Sequence, residues 1–336
     1  MSGTLEVLSA GPGVTVQDMG RSGYLSQGLS RGGAADRLAL EEGAALLGQP
    51  VGTALELAGM GGRFRADVPL RIALSGAPMK AAVDGAALRW HASHALPAGA
   101  VLEIGGVTAG SYGYLSIGGG LACRERLGAQ SAHLAAGLGA ALKAGEELPL
   151  APDAGGETGL VLDVTPRWSG GEIRILPSLQ TGLYPEADQV RFCETRFRRD
   201  ARGNRMGVKM MPEGDGFGLE AGQTILSEVI TPGDIQIPGD GAPYVLLAEC
   251  QTTGGYPRIG TVIPADLPKV AQAAAGAEVR FRFVTRDEAL AAQAAFVKDI
   301  KGLRARVAPL VRDPAGMPDL LAYTLISGVV TGKEET

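Results

Sequence analysis

Leu70-Arg71-Ile72-Ala73-Leu74-Ser75 and Tyr112-Gly113-Tyr114-Leu115-Ser116-Ile117 are runs of strand length, rich in branched and aromatic side chains and bounded by Pro69, Gly76, Gly110 and Gly118. Such runs are too short for a typical helix and carry a strand composition. Residues 54–57 and 101–104 repeat the pattern, so the stretch 53–150 reads as a β-barrel or β-sandwich. Upstream, residues 5–16 read as a hairpin, with Gly11-Pro12-Gly13 as its turn and the polar pair Gln17-Asp18 at its end. One helix interrupts the strands: Leu38, Leu40, Ala44, Ala45 and Leu47 recur at helical spacing directly after Asp36, a good N-cap residue.

Downstream, residues 172–176, 224–230, 234–237, 244–250 and 278–284 continue as strands, with helices expected at 186–196 and 286–307. The Gly- and Pro-rich stretch 151–171 breaks this rhythm and marks a domain boundary. The expected organisation is an N-terminal half over 1–160, a C-terminal half over 171–290 and a helical extension over 291–336, mainly β with a few helices.

With 51 Gly and 20 Pro in 336 residues, the chain is turn-rich but below the composition of low-complexity disorder, and its 45% hydrophobic content is enough for a core. A formal net charge of -5 and scattered Lys and Arg give no basic face for nucleic acid. The 3 Cys are far apart and unpaired in spacing, which argues against a disulfide framework or thiolate zinc site and fits a reducing cytoplasm. No apolar stretch is long enough to span a bilayer and no secretory leader is evident, so neither a membrane nor export is expected.

No phosphate loop, dinucleotide fingerprint or nucleophile elbow occurs. Gly118-Gly119-Gly120, after an apolar strand, offers either a backbone nest for an anion or a plain turn. His91 and His94 are three apart but lack an acidic third ligand nearby, so no metal site is expected. Four polar segments embedded in glycine remain: Gln17-Asp18-Met19-Gly20-Arg21, Gly203-Asn204-Arg205-Met206-Gly207, Gly233-Asp234-Ile235-Gln236-Ile237-Pro238 and Gln251-Thr252-Thr253-Gly254-Gly255-Tyr256-Pro257-Arg258. They are either strand-ending turns or the walls of one site that brings backbone and donor-rich side chains close to a ligand.

These segments also carry a resemblance. Val16-Gln17-Asp18-x-Gly20-Arg21-x-Gly23, Gly33-Ala34-Ala35-Asp36, Leu55-Glu56, Gly118-Gly119, Arg205-Met206-Gly207, Ile235-Gln236-Ile237-Pro238 and Gln251-Thr252-Thr253-Gly254-Gly255-Tyr256-Pro257 resemble the KipA family, also called allophanate hydrolase subunit 2 or the biotin-dependent carboxyltransferase family. The C-subunit of the ATP-hydrolysing 5-oxoprolinase is a member. The resemblance runs from about residue 5 to about residue 288. It implies two cyclophilin-like β-barrel domains. It also implies one of three roles: part of a 5-oxoprolinase beside a KipI-like protein (allophanate hydrolase subunit 1) and a LamB/YcsF-like subunit, a carboxyltransferase component acting on urea, or a regulator that binds a KipI-like inhibitor.

Where relatives usually read Leu-Gly-Ser-Arg-Ser-Thr, this chain has Leu127-Gly128-Ala129-Gln130-Ser131-Ala132, and the usual Lys after Tyr-Pro is Arg258. An Arg to Gln exchange removes a planar fork suited to carboxylates. No biotin-accepting Ala-Met-Lys-Met string occurs, the nearest being Ala77-Pro78-Met79-Lys80-Ala81, so biotin is not carried by this chain and the 5-oxoprolinase-like role is favoured. A lactam is a poor electrophile. ATP, used at the level of the complex, activates its oxygen, and the protein's task is positioning and charge stabilisation. Arg205 and Arg258 are then the candidates for holding phosphate or carboxylate, and Asp18 is a base or a metal-bound carboxylate. Gln17, Arg21, Ser131, Asn204, Gln236, Gln251, Thr252, Thr253 and Tyr256 become substrate-orienting groups, and Gly118, Gly119 and Gly120 an anion site. One shared cleft is expected to gather Gln17, Arg205, Gln236 and Gln251. Leu320 to Ile326 is a candidate partner surface.

Overall fold

The computed structural model describes residues 3–219 and 225–311; the 320–326 segment lies outside them. The described residues are mainly β with four α-helices: α1 (Arg37–Leu47), α2 (Glu186–Glu194), α3 (Leu267–Gln272) and α4 (Arg286–Gly302). None of the described helices is long and apolar enough to cross a membrane.

The first half consists of two sheets that face each other across one core. One sheet runs Glu147–Pro149, Thr4–Ala10, Met60–Ala66, Val101–Val107, Met79–Val83, Ala86–Ala87, and the other begins Thr15–Gln17, Ala54–Ala58, Tyr112–Ile117, Leu70–Gly76, Ala92–Leu96. Leu5, Val7, Leu55, Leu57, Phe64, Ile72, Leu74, Leu102 and Ile117 fill the space between them. Tyr112–Ile117 and Leu70–Gly76 are buried along their whole length because they lie mid-sheet and are covered on both faces, which is why they read as continuous rather than alternating runs. α1 packs on Leu70–Gly76, and the Asp36 side chain caps it by accepting from the Ala39 N–H.

The expected hairpin at residues 5–16 does not form. Thr4–Ala10 pairs with Met60–Ala66, whereas Thr15–Gln17 pairs with Ala54–Ala58 in the opposite sheet. The Gly11–Gly13 turn and Gly59 are the places where two adjacent stretches of chain change sheets together, and the Gly11 N–H donates to the Gly61 carbonyl at 2.6 Å.

The second half is a closed barrel of seven strands in the order Gly170–Leu176, Arg258–Val262, Asp234–Gln236, Tyr244–Leu246, Gly207–Pro212, Phe197–Arg199, Glu278–Phe283. It closes through the parallel pairing of Gly170–Leu176 with Glu278–Phe283. Phe192, Phe197, Phe217 and Phe281 pack ring against ring at its centre, with centroids 5.1–5.9 Å apart. The chain then returns to the first half. α4 starts with a capping box at Thr285 and Glu288, ends in a single 3-10 turn, and delivers Val307–Pro309 to pair with Leu160–Leu162 at the edge of the second N-terminal sheet. The helix expected over 286–307 therefore stops as α-helix at Gly302: residues 303–306 tighten into the 3-10 turn, and only Val307 is used as strand.

Candidate functional site

The two halves are joined by a buried chain of charges. Arg205, 7% exposed, donates from Nε to Glu249 at 2.6 Å, from Nη2 to the Gly33 carbonyl at 2.5 Å, and from Nη1 to Glu56 in the other half. Glu56 in turn accepts from the Ala35 N–H at 2.8 Å and the Tyr114 hydroxyl at 2.7 Å, and Tyr114 accepts from the Asp36 N–H. Asp36 accepts from Arg167 and Gln272, both at 2.8 Å, and Arg167 forks onto Glu42 at 2.6 and 2.9 Å. Burial opposes the charge on Arg205, yet Glu56 and Glu249 outweigh it and hold the guanidinium above its ordinary pKa. The same balance raises Arg167 through Asp36 and Glu42.

Arg205 is thus an interdomain strut, since each of its three nitrogens already donates to an acceptor of the protein. That differs from the free clamp for phosphate or carboxylate expected from its motif. The turn it grips depends on glycine: Gly33 has φ +76°, and a Cβ there would lie 2.5 Å from the Gly20 nitrogen and 2.8 Å from the Asp18 carbonyl oxygen. Gly33→Ala should cost about 1–3 kcal/mol, visible as an earlier denaturant midpoint; an unchanged midpoint would mean that the turn relaxes freely.

The segment 17–21 has a similar supporting role. Asp18 accepts from the backbone N–H of Gln130 at 2.7 Å and of Ser131 at 3.2 Å, Arg21 donates to the Arg126 and Ser131 carbonyls, and Gln17 donates to the Ala132 carbonyl at 3.2 Å. Two segments of the family pattern, 16–23 and 127–132, therefore form one unit that shapes a loop. Gln130 closes that loop by accepting from the Cys123 N–H at 3.0 Å. Gln17 and Arg21 are at most 1% exposed, and neither lines the cavities around Met206. The Ser131 side-chain oxygen is buried without a partner.

Gly118, Gly119 and Gly120 form a tight turn whose N–H groups are all taken, by the Arg71 carbonyl, the Gln49 side chain and the Ile117 carbonyl. No donor is left to cradle a phosphate, so the triplet does not fit ATP. Arg258 is similarly committed, with Nη1 on Asp234 at 3.1 Å and Nη2 on Glu228. His91 and His94 each bond a backbone carbonyl, of Gly76 and Arg89.

Two adjoining cavities share Met206 as a wall and collect most of the remaining site residues. One, of about 270 Å³, is lined by Gln236, Gln251, Tyr256, Tyr244, Ile230 and Cys250 among others. The other, of about 320 Å³, sits at the junction of the halves between Tyr112 and Leu134 on one side and Asn204, Arg205 and Glu249 on the other. Gln236 has unspent chemistry: it is 7% exposed, and among the described residues its buried amide nitrogen has no hydrogen-bond partner. Gly254 lets it lie so, since a Cβ there would come within 2.5 Å of that nitrogen. An unpartnered buried amide donor suits a ligand carbonyl or other oxygen acceptor. Cys250 is no nucleophile here, because burial pushes its thiol up to about 12. Thr252 is buried and Thr253 is exposed, pairing with Val229 in a two-stranded ribbon.

The expected gathering of four segments is therefore met in part. Gln236 and Gln251 share one cavity and Arg205 borders the next, while Gln17 belongs to the loop support. A groove of about 550 Å³ across the N-terminal sheet, lined by Met60, Arg63, Lys80 and Glu103, contains none of them.

Comparisons with known proteins agree with this architecture. A family model described as the carboxyltransferase domain, subdomain A and B, matches residues 27–283. The 5-oxoprolinase C-subunit of Haemophilus influenzae is 32% identical over 294 residues, which cover 85% of this chain and 93% of that protein. Its namesake in Escherichia coli is 32% identical over 302 residues, covering 86% and 94%. The crystal structure of the Kluyveromyces lactis urea carboxylase superposes with a TM-score of 0.79 at 23% identity over 93% of this chain. This chain spans 31% of that larger one, a likeness of fold.

Proposed function

Since this chain belongs to the carboxyltransferase domain family, subdomains A and B, we propose that it is one subunit of a 5-oxoprolinase-like enzyme complex that opens a cyclic amide, converting 5-oxoproline to glutamate. The observation that carries this is the 32% identity to two proteins named as the 5-oxoprolinase C-subunit, over 93% and 94% of their lengths. The proposed partners are a KipI-like protein and a LamB/YcsF-like subunit, with ATP used by the assembled complex in the cytoplasm. This chain contributes the cavity at Gln236, whose amide nitrogen donates to the substrate carbonyl while Gln251 and Tyr256 border the ligand.

The test is reconstitution. Purified alone, the chain should show no ATP-dependent conversion of 5-oxoproline; mixed with its partners it should. Turnover by the isolated chain, or none by the mixture, sinks the proposal, and urea added in place of 5-oxoproline separates this role from carboxyl transfer. Gln236→Leu sharpens the test. It removes a buried donor that has no partner, so stability should hold or rise slightly, while turnover per folded complex falls by about tenfold or more. A destabilised variant with normal turnover would return Gln236 to a structural role.

A further inference from the structure

On the other side of the 32–36 turn lies a cavity of about 470 Å³, enclosed by α1, the barrel and α4. Its walls are apolar, with Pro232, Pro264, Pro268 and Phe296 among them, and its polar groups are Arg31, Arg37, Glu41 and Gln293. Arg37 is the first residue of α1, where the helix dipole is already positive. Among the described residues its one hydrogen bond is a long one, 3.2 Å, to the Gly32 carbonyl, and it makes no ion pair with a carboxylate. Arg31 lies close enough to oppose its charge, and among the described residues Arg31 in turn donates only to the Met19 carbonyl.

Two guanidinium groups line one largely apolar space, and among the described residues neither makes an ion pair. Burial pushes Arg37 down to about 10, so it remains cationic at neutral pH. Burial raises the carboxyl of Glu41, the one acidic group lining the space, and among the described residues it makes no ion pair with either arginine. Gln293 adds a buried amide oxygen that has no donor among the described residues. An anion would relieve the repulsion between the two arginines and use their unspent donors, and an N–H beside it would satisfy Gln293.

We propose that this cavity binds a small organic carboxylate bearing an N–H group next to the acid, at a site separate from the Gln236 cavity. Arg37 and Arg31 hold the carboxylate, Gln293 accepts from the N–H, and the prolines and Phe296 enclose the carbon body.

N-acetylalaninate is the probe, with its neutral amide as control, titrated into the full chain by calorimetry. The native protein should bind the acid and not the amide. Arg37→Gln and, independently, the exposed Arg31→Gln should each weaken binding, Arg37→Gln by about tenfold or more, with melting curves confirming that both variants are folded. Gln236→Leu should leave the affinity unchanged. Absence of saturable binding by the native chain, equal affinity in Arg37→Gln, equal binding of the amide, or loss of binding in Gln236→Leu would each overturn the proposal.

Discussion

Arg205→Ala should lower the stability of this protein by about 3–5 kcal/mol, the usual effect of removing one partner from a buried ion pair. The cost arises from what is left behind. Glu56 is fully buried and Glu249 nearly so, and both lose the cation that offsets their desolvation; the Gly33 carbonyl loses a donor at the same time. Because Glu56 belongs to the first half and Arg205 to the second, the loss falls on the junction. The melting temperature should drop by roughly 10 °C on the usual scaling for domains of this size. Activity of the assembled complex should fall with the folded fraction. The decisive measurement is turnover per folded molecule below the transition: a variant that melts like the native protein but turns over nothing would make Arg205 a ligand clamp after all.

Arg167→Gln should have a comparable effect, about 3–5 kcal/mol near neutral pH, with a distinctive pH dependence. Arg167 lies in the segment between the halves and is the cation shared by Asp36 and Glu42. Burial raises the Glu42 carboxyl above its ordinary value even with Arg167 opposing the shift. A carboxyl that holds its proton more tightly when folded contributes stability that is fully present below its unfolded pKa and is lost as pH rises through its folded pKa. Removing Arg167 withdraws the opposing charge, so the folded pKa climbs and the loss on the alkaline side deepens. The variant should therefore gain stability on acidification from about pH 8 to about pH 5 by more than the native protein does. Urea titrations at the two pH values check this. A deficit independent of pH would show that Glu42 is not the group left exposed to the loss.

Much of the architecture was legible because its signals are local. The strands at Leu70–Gly76 and Tyr112–Ile117 follow from composition and flanking glycines, and α1 follows from apolar spacing after an N-cap at Asp36. The glycine-embedded polar segments could be singled out in the same way, and with them the two residues, Gln236 and Gln251, that share a cavity. Arg37 and Gln293 gave no such signal, because neither sits in a recognisable motif and each matters only through the cavity that α1, the barrel and α4 enclose together.

What a segment pairs with is decided elsewhere. Residues 5–16 carry the punctuation of a hairpin, yet their strands join opposite sheets, one on Met60–Ala66 and the other on Ala54–Ala58. Val307, the last residue of the stretch that reads as helix, instead opens the strand Val307–Pro309, recruited by the edge at Leu160–Leu162. Arg205 has the surroundings of a binding residue in sequence, and only the packing of the two halves sets Glu56, 149 positions away, against its guanidinium. The amino-acid sequence alone determined which short segments are strand, helix or turn, and which polar groups stand out, since propensity, capping and glycine geometry act over a few residues. The tertiary structure alone decided which charges are struts and which donors remain free, since a buried charge takes whichever partner the fold brings within hydrogen-bonding reach.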